Sequence, residues 1–340
     1  MTYSFSNDIF QNPNEKHLDL IDKIWHTSKD RHFLFIGDNE NYNIIKDSEW
    51  YNHLRQSHKE EIDNQVVASI NIGRNKKKFL ISNQETSSFS LIEAYEMLHK
   101  PLSIILENME YDRYFIDALV RNFNELGAKI KKYYDNGWLN YTNGGGSNIV
   151  NVIHGLKDRF DKNKSDFPKE SQTYLRTLII MDSDKRFPIE QEVANDKMDK
   201  LAIIKQNSDY HVMLKREIEN YLPDEIFNEI ADNNDFKRAY LKLKPVQKDF
   251  FDLEKGFPSD KNFDQLEEGI RDLYNDINEI DKKAFRKESM QFFKIDGKKD
   301  SFKARFPMLF ESKNITRKNL EARANSNELE KILQKINDLL

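Results

Sequence analysis

The apolar positions of this chain change rhythm twice, and each change marks a different architecture. Up to about residue 98 short patterns alternate. A helix around residues 17–25 precedes the apolar run Phe33-Leu34-Phe35-Ile36, which stops at Gly37-Asp38. Residues 66–71 and 78–82 read as strands on either side of the turn-forming Gly73-Arg74-Asn75, and residues 90–99 read as a helix leading to Pro101. From Leu102 strands alternate with helices. Residues 102–106 form an apolar run too short for a helix, which suits a buried strand. Tyr111, Phe115, Leu119 and Phe123 recur at helical spacing. Residues 129–134 then read as a strand, and Ile149, Val152, Ile153 and Leu156 as one face of a helix. Residues 177–181 are the most apolar strand of the chain. Residues 201–205 and 210–214 are further strand candidates, with a helix predicted from near Arg216.

This strand–helix alternation predicts an α/β fold with a mostly parallel sheet flanked by helices on both faces. Functional side chains are then expected beyond the carboxyl ends of the strands. From about Asp224 onward the pattern is helical and highly charged. Heptad-like apolar spacing at residues 264–276 and 327–340 is broken by Lys255-Gly256-Phe257-Pro258 and by Asp296-Gly297-Lys298. Three regions result: an α/β N-terminal region at 1–98 with no catalytic pattern, an α/β core at 99–224, and a helical C-terminal region at 225–340.

Composition narrows the function classes. With 38% hydrophobic residues, 23 Phe and 14 Tyr, the 340-residue chain has material for a sizeable core although 33% of it is charged. Its 53 basic and 58 acidic residues give a net charge of -5, which excludes a polycationic nucleic-acid binder. Any contact with nucleic acid must come from a local basic surface or from metal ions held by carboxylates. The absence of cysteine excludes disulfides and zinc–thiolate sites. No secretory leader and no run of about 20 apolar residues is visible. The expectation is a cytoplasmic protein with no membrane contact.

Four segments carry the candidate chemistry. Asp182 and Asp184 directly follow the apolar run 177–181, so two hard oxygen donors share one strand end, an arrangement suited to Mg²⁺. The same pair would also serve as a helix cap and a turn residue. Glu107 ends the first strand of this α/β unit, where a carboxylate can bind metal or move a proton, or simply face a helix N-terminus. Gly144-Gly145-Gly146-Ser147-Asn148 lies between a strand and a helix. Its Gly145 and Ser147 are candidates for approaching phosphate, against the alternative of a plain flexible turn. The segment lacks the Gly-x-x-x-x-Gly-Lys pattern, so no nucleotide hydrolysis is implied. Lys215-Arg216-Glu217-Ile218-Glu219-Asn220-Tyr221 offers acids and bases at another strand end, with Glu219 able to complete the acidic cluster and Lys215, Arg216 or Lys185 able to neutralise phosphate. Taken singly it is also an ordinary charged helix start. A phosphatase using Asp-x-Asp would need Thr or Val where Arg186 stands. His154 and His211 show no paired metal spacing.

The ordered set resembles the TOPRIM domain of topoisomerases, bacterial primases and OLD-type nucleases. In that family a Glu ends the first strand and an Asp-x-Asp ends a later one, which maps onto Glu107, Asp182 and Asp184. The string Ile218-Glu219-Asn220-Tyr221-Leu222 looks like a segment of OLD-like TOPRIM proteins in bacterial antiphage systems, some of which pair with an ABC/SMC-type ATPase, as in PARIS-type systems. The resemblance covers about residues 102–224. It departs from the family where an acid usually stands four residues after the Glu: here Asp112 stands five residues after Glu107.

The resemblance implies a Rossmann-like TOPRIM fold and an endonuclease that uses Mg²⁺ or Mn²⁺. Glu107, Asp182, Asp184 and Glu219 would be the metal ligands, with Lys215 as a further catalytic residue. The implied partners are DNA or RNA (tRNA included), a separate ATPase chain and a second copy of the protein. The alternative is a non-catalytic TOPRIM module that docks to an ATPase.

Overall fold

The computed structural model describes residues 1–72, 79–84, 88–194, 197–257, 262–286, 289–290, 292–293, 299–300 and 302–340. Two parallel sheets organise it. The N-terminal sheet has β1 (Thr2–Phe5) between β2 (Phe33–Leu34) and β3 (Phe79–Ile81). The larger sheet contains β4 (Leu102–Leu106), β5 (Leu139–Asn143), β6 (Thr177–Met181) and β7 (Asp209–Val212), in the order β5-β4-β6-β7. All its pairings are parallel. The chain first steps from β4 to β5 on one side and then returns past β4 to build β6 on the other. The order therefore reverses between β4 and β6, where open α/β sheets form their ligand crevice.

Side-chain alternation along the central strands gives the sheet two buried faces. Ile104, Leu106, Leu178 and Ile180 point into a core shared with the helices Met109–Asn122 and Asn124–Asp135. Ile105, Ile179 and Met181 point the other way, against the helices Ile149–Lys162 and Met198–Asn207. The C-terminal helices belong to the first of these cores. Leu329, Ile332, Leu333 and Ile336 of the helix Glu328–Leu339 pack in the cluster that holds Leu102 and Phe115. Residues 3–98 supply a separate cluster around Trp25, Trp50 and Tyr3. Among the described residues no helix is long and apolar enough to cross a membrane.

Several elements differ from the sequence-based expectation. Residues 66–71 belong to the helix Gln56–Ile72, not to a strand. Val67 and Ile70 are exposed there, and the β-branched penalty of a few tenths of a kcal/mol per residue does not stop a helix already running. Residues 129–134 lie in the helix Asn124–Asp135, where Ile130 and Tyr133 are buried three positions apart. The strand expected there is β5, five residues further on. Residues 201–205 likewise form the helix Met198–Asn207, with Leu201 and Ile204 as its buried face. In place of a helix from Arg216 there is a single tight turn, Ile218–Tyr221. Gly73-Arg74-Asn75, Pro258 and Asp296-Gly297-Lys298 lie outside the described residues.

The junction between the two sheets contains a histidine held neutral. His32 is buried, its Nδ1 lies 3.1 Å from the Met1 amino group and its Nε2 3.2 Å from the Leu98 carbonyl. An ammonium can only donate and a carbonyl can only accept, so the ring must be neutral with its proton on Nε2. Burial, then the positive charges of the amino terminus, Arg176 and Arg31, push its pKa far below the ordinary value. The unfolded chain therefore takes up a proton that the fold refuses once the pH drops below about 6.5. Stability is expected to fall with decreasing pH by up to about 1.4 kcal/mol per pH unit from this group. His32→Gln should remove that part of the slope in urea titrations at pH 7.5, 6.5 and 5.5; parallel curves for the two proteins would rule the account out.

Candidate active site

The site grows from the carboxyl ends of β4 and β6, which neighbour each other in register, Leu106 opposite Ile180. Glu107 follows β4 directly, and Asp182 follows β6. Between the aspartates Ser183 is fully buried and donates its hydroxyl to the Lys215 carbonyl at 2.7 Å. The Asp184 amide donates to the Arg216 carbonyl at 2.9 Å. These two bonds staple the Asp-Ser-Asp loop to the segment after β7. Asp184 adopts a left-handed backbone, φ 52°, a region Asp tolerates better than most residues. The turn Ile218–Tyr221 then presents its first amide to the floor: Ile218 N–H donates to Asp182 Oδ1 at 2.9 Å. Asn220, fully buried, holds this turn by accepting from Glu217 N–H at 2.9 Å and donating to the carbonyls of Lys248 and Phe251.

Together these segments line a cleft of about 790 Å³. Glu107, Asp182, Asp184 and Glu219 all reach it, and so does Asp112. Glu217 and Glu254 join them, against the basic groups Arg186, Arg216 and Lys255. Acids so outnumber bases in this lining that a polyanion would be repelled unless further positive charge entered. Burial, with the charges of Glu107, Glu219 and Asp112, pushes the Asp182 pKa well above the usual carboxylate value, against the opposing pull of Lys197. Glu217 is raised in the same way by burial, Asp252, Glu219 and Asp184, with Arg216 opposing.

Two lysines reach into the acids from the first turn of the helix Met198–Asn207 and the residue before it. Lys197 Nζ lies 3.0 and 3.2 Å from the two oxygens of Glu107 and 3.3 Å from the Asp182 carbonyl, and it is ion-paired with Asp184. Burial would lower its pKa, but Glu107, Asp184 and Asp182 outweigh burial and raise it. Lys200 Nζ lies 3.2 Å from Glu107 Oε1 and donates to the Gly146 carbonyl at 2.7 Å. Sequence reasoning missed both. The available signal was a pair of lysines three positions apart at a helix N-terminus, where the helix dipole disfavours cations unless acids face them.

Other expected residues have different positions. Lys215 does not enter the cleft. It is buried on the opposite side, paired with Asp249 and 5.3 Å above the Tyr221 ring, and burial together with Arg323 lowers its pKa to about 8. Lys185 lies 5.4 Å over the Phe250 ring and is not among the cleft-lining residues. Arg216 does line the cleft, held by Asp252 at 2.6 Å and Glu217 at 3.2 Å.

The glycine loop uses its amides internally. Gly144 N–H donates to Leu106 O at 2.6 Å, Gly145 N–H to Asn143 Oδ1 at 3.1 Å and Gly146 N–H to Glu107 O at 2.9 Å. These amides do not face an open phosphate site. Glycine is required here for geometry instead. Gly145 and Gly146 have φ of 62° and 58°, and a Cβ on Gly144 would stand 2.8 Å from the Leu106 carbonyl oxygen. Ser147 lies beside Gly146 in this loop. Asp112 accepts from Asn108 N–H at 2.8 Å, closing the start of its own helix.

The donor chemistry fits a hard divalent cation, because every acid named is a carboxylate and an ammonium already sits among their oxygens. Among the described residues no three His, Asp or Glu side chains converge as a ready-made metal group. No protein family, no curated protein and no solved structure matches this chain.

Proposed function

We propose that this chain is a TOPRIM-type endonuclease that hydrolyses phosphodiester bonds in nucleic acid with Mg²⁺ or Mn²⁺. The observation that carries the reading is the meeting of Glu107, Asp182 and Asp184 in one cleft at the reversal of strand order. A mostly parallel sheet flanked by helices, with a Glu after its first strand and an Asp-x-Asp after a later one, is what the TOPRIM resemblance implies. The surplus of acids over bases in the lining supports a cation-dependent site, since a phosphate chain could not otherwise approach.

Bound metal supplies Lewis-acid stabilisation of charge on the reacting phosphate. The chain's own residues do the rest. Glu107, Asp182, Asp184 and Glu219 would hold the cation, and Ile218 N–H fixes the Asp182 carboxylate by engaging Oδ1. Lys255 stands on the lining and would neutralise phosphate, whereas Arg186, also on the lining, is paired with Glu190 and Glu267. On the strength of the Ile218–Leu222 string, the activity belongs to a bacterial antiphage effector working with a separate ATPase chain.

The alternative is a non-catalytic docking module. One observation favours it: Lys197 pairs with Glu107 and Asp184, two of the proposed ligands. Cleavage of supercoiled plasmid and of total tRNA with Mg²⁺ or Mn²⁺ separates the readings. Wild type should cut one of them only when metal is present, and Glu107→Ala should cut neither. Equal cutting by the variant would overturn the site, and a wild type that neither cuts nor binds metal would leave the docking module.

A further inference from the structure

We infer that Lys197 is the cleft's built-in cation: its ammonium occupies the position between Glu107 and Asp184 at which a divalent metal binds, and the two exchange. The inference rests on the metal-dependent reading above and locates the metal within it.

The geometry is specific to this residue. Lys197 Nζ is surrounded by both oxygens of Glu107, at 3.0 and 3.2 Å, by the Asp182 carbonyl at 3.3 Å and by an Asp184 carboxylate oxygen. It thus joins the end of β4 to both ends of the Asp-Ser-Asp loop after β6. Three donors of one cation lie on two strands, and a single ammonium spans them. Lys200 does not do this: it touches Glu107 alone and is anchored by the Gly146 carbonyl.

Glu107 and Asp184 repel each other, and the ammonium that both contact offsets that repulsion. A divalent ion brings twice the charge of an ammonium and shorter contacts to the same oxygens. It cannot share their midpoint with Lys197 Nζ, so the lysine must withdraw as the metal enters. While Lys197 is seated, it both neutralises the carboxylates and keeps them from converging on a smaller ion.

The test measures metal binding, not cleavage. Mn²⁺ affinity is titrated by calorimetry for wild type, Lys197→Met, Lys200→Met and Glu107→Gln, with thermal unfolding in EDTA and in excess Mg²⁺ alongside. Lys197→Met should bind Mn²⁺ roughly tenfold or more tightly than wild type, because a competing charge at contact distance has gone. It should unfold earlier than wild type in EDTA and recover in Mg²⁺, while Lys200→Met, which gives up a contact with Glu107 but none with Asp184, gains clearly less. Glu107→Gln should bind more weakly than wild type.

In the wild-type protein itself, Mg²⁺ should increase labelling of Lys197 by an amine-reactive reagent, read by mass spectrometry against Lys185 as the reference. This holds the test open should Lys197→Met not fold. Metal binding by wild type with unchanged or weaker binding by Lys197→Met, or with Lys197 labelling unaffected by Mg²⁺, overturns the exchange and leaves the metal site standing. No binding by wild type or Lys197→Met overturns both.

Discussion

Asp182→Asn is expected to lower metal-dependent cleavage by about a thousandfold while leaving the protein folded. Asparagine keeps the shape of the side chain and an oxygen that can still accept from Ile218 N–H, so the turn Ile218–Tyr221 stays in place. What is lost is one negative charge at the floor of the cleft. Asp182 is penalised for carrying that charge, by burial first and then by Glu107, Glu219 and Asp112. A cation beside it would relieve that penalty. The substitution should have opposite effects on two readouts. Without metal, the variant should unfold at the same temperature as wild type or slightly higher, since a repulsive charge has been removed. With Mg²⁺, the stabilisation seen for wild type should shrink along with the activity. Cleavage within tenfold of wild type would show that Asp182 does not hold the catalytic cation.

The parts of this site that the sequence announces are those that follow apolar strands. Glu107 comes after Leu102–Leu106 and Asp182 after Thr177–Met181, and parallel pairing of two such runs brings their ends together. The fold class was legible for the same reason: fully buried strands read as unbroken apolar runs. The edge strand β5 was not legible, because Leu139-Asn140-Tyr141-Thr142-Asn143 is paired on one side only and buries just Leu139 fully. The helices Asn124–Asp135 and Met198–Asn207 were mistaken for strands where a window of five or six residues cannot separate period 2 from period 3.6.

The error at Lys215 has a different cause. After β7 the chain bends through residues 214–217, which buries Lys215 against Asp249 while its neighbours Arg216 and Glu217 line the cleft. No periodicity in the sequence indicates which residue of such a bend turns inward. Lys197 illustrates the third limit. The lysine pair at a helix N-terminus hints that acids face it, but not that these are Glu107, 90 residues away, and the Asp182–Asp184 loop.

The other large effect should come from outside the cleft. Glu328→Ala is expected to destabilise the protein by about 3–5 kcal/mol, the cost of deleting the one acceptor shared by several buried donors. Glu328 is 2% exposed. One of its oxygens accepts from Leu214 N–H at 2.8 Å and lies 2.9 Å from His211 Nε2, and the other accepts from the Tyr221 hydroxyl. Alanine would leave those groups without this partner in a place water does not easily reach. It would also remove an acid from the first turn of the helix Glu328–Leu339, where the helix dipole favours one. The donors belong to β7, the segment after it and the turn Ile218–Tyr221. This last element supplies Ile218 N–H to Asp182 and carries Glu219 into the cleft. A C-terminal helix thus holds the turn that lines the cleft, and residues between Ile226 and Leu340 share one core with β4 and β6. Urea titration of the variant should show the loss directly. At a denaturant-free temperature where it remains folded, its Mn²⁺ affinity should fall as well, because the turn is no longer pinned. A loss of less than about 1 kcal/mol would mean that water replaces Glu328 and that the helix does not hold the site.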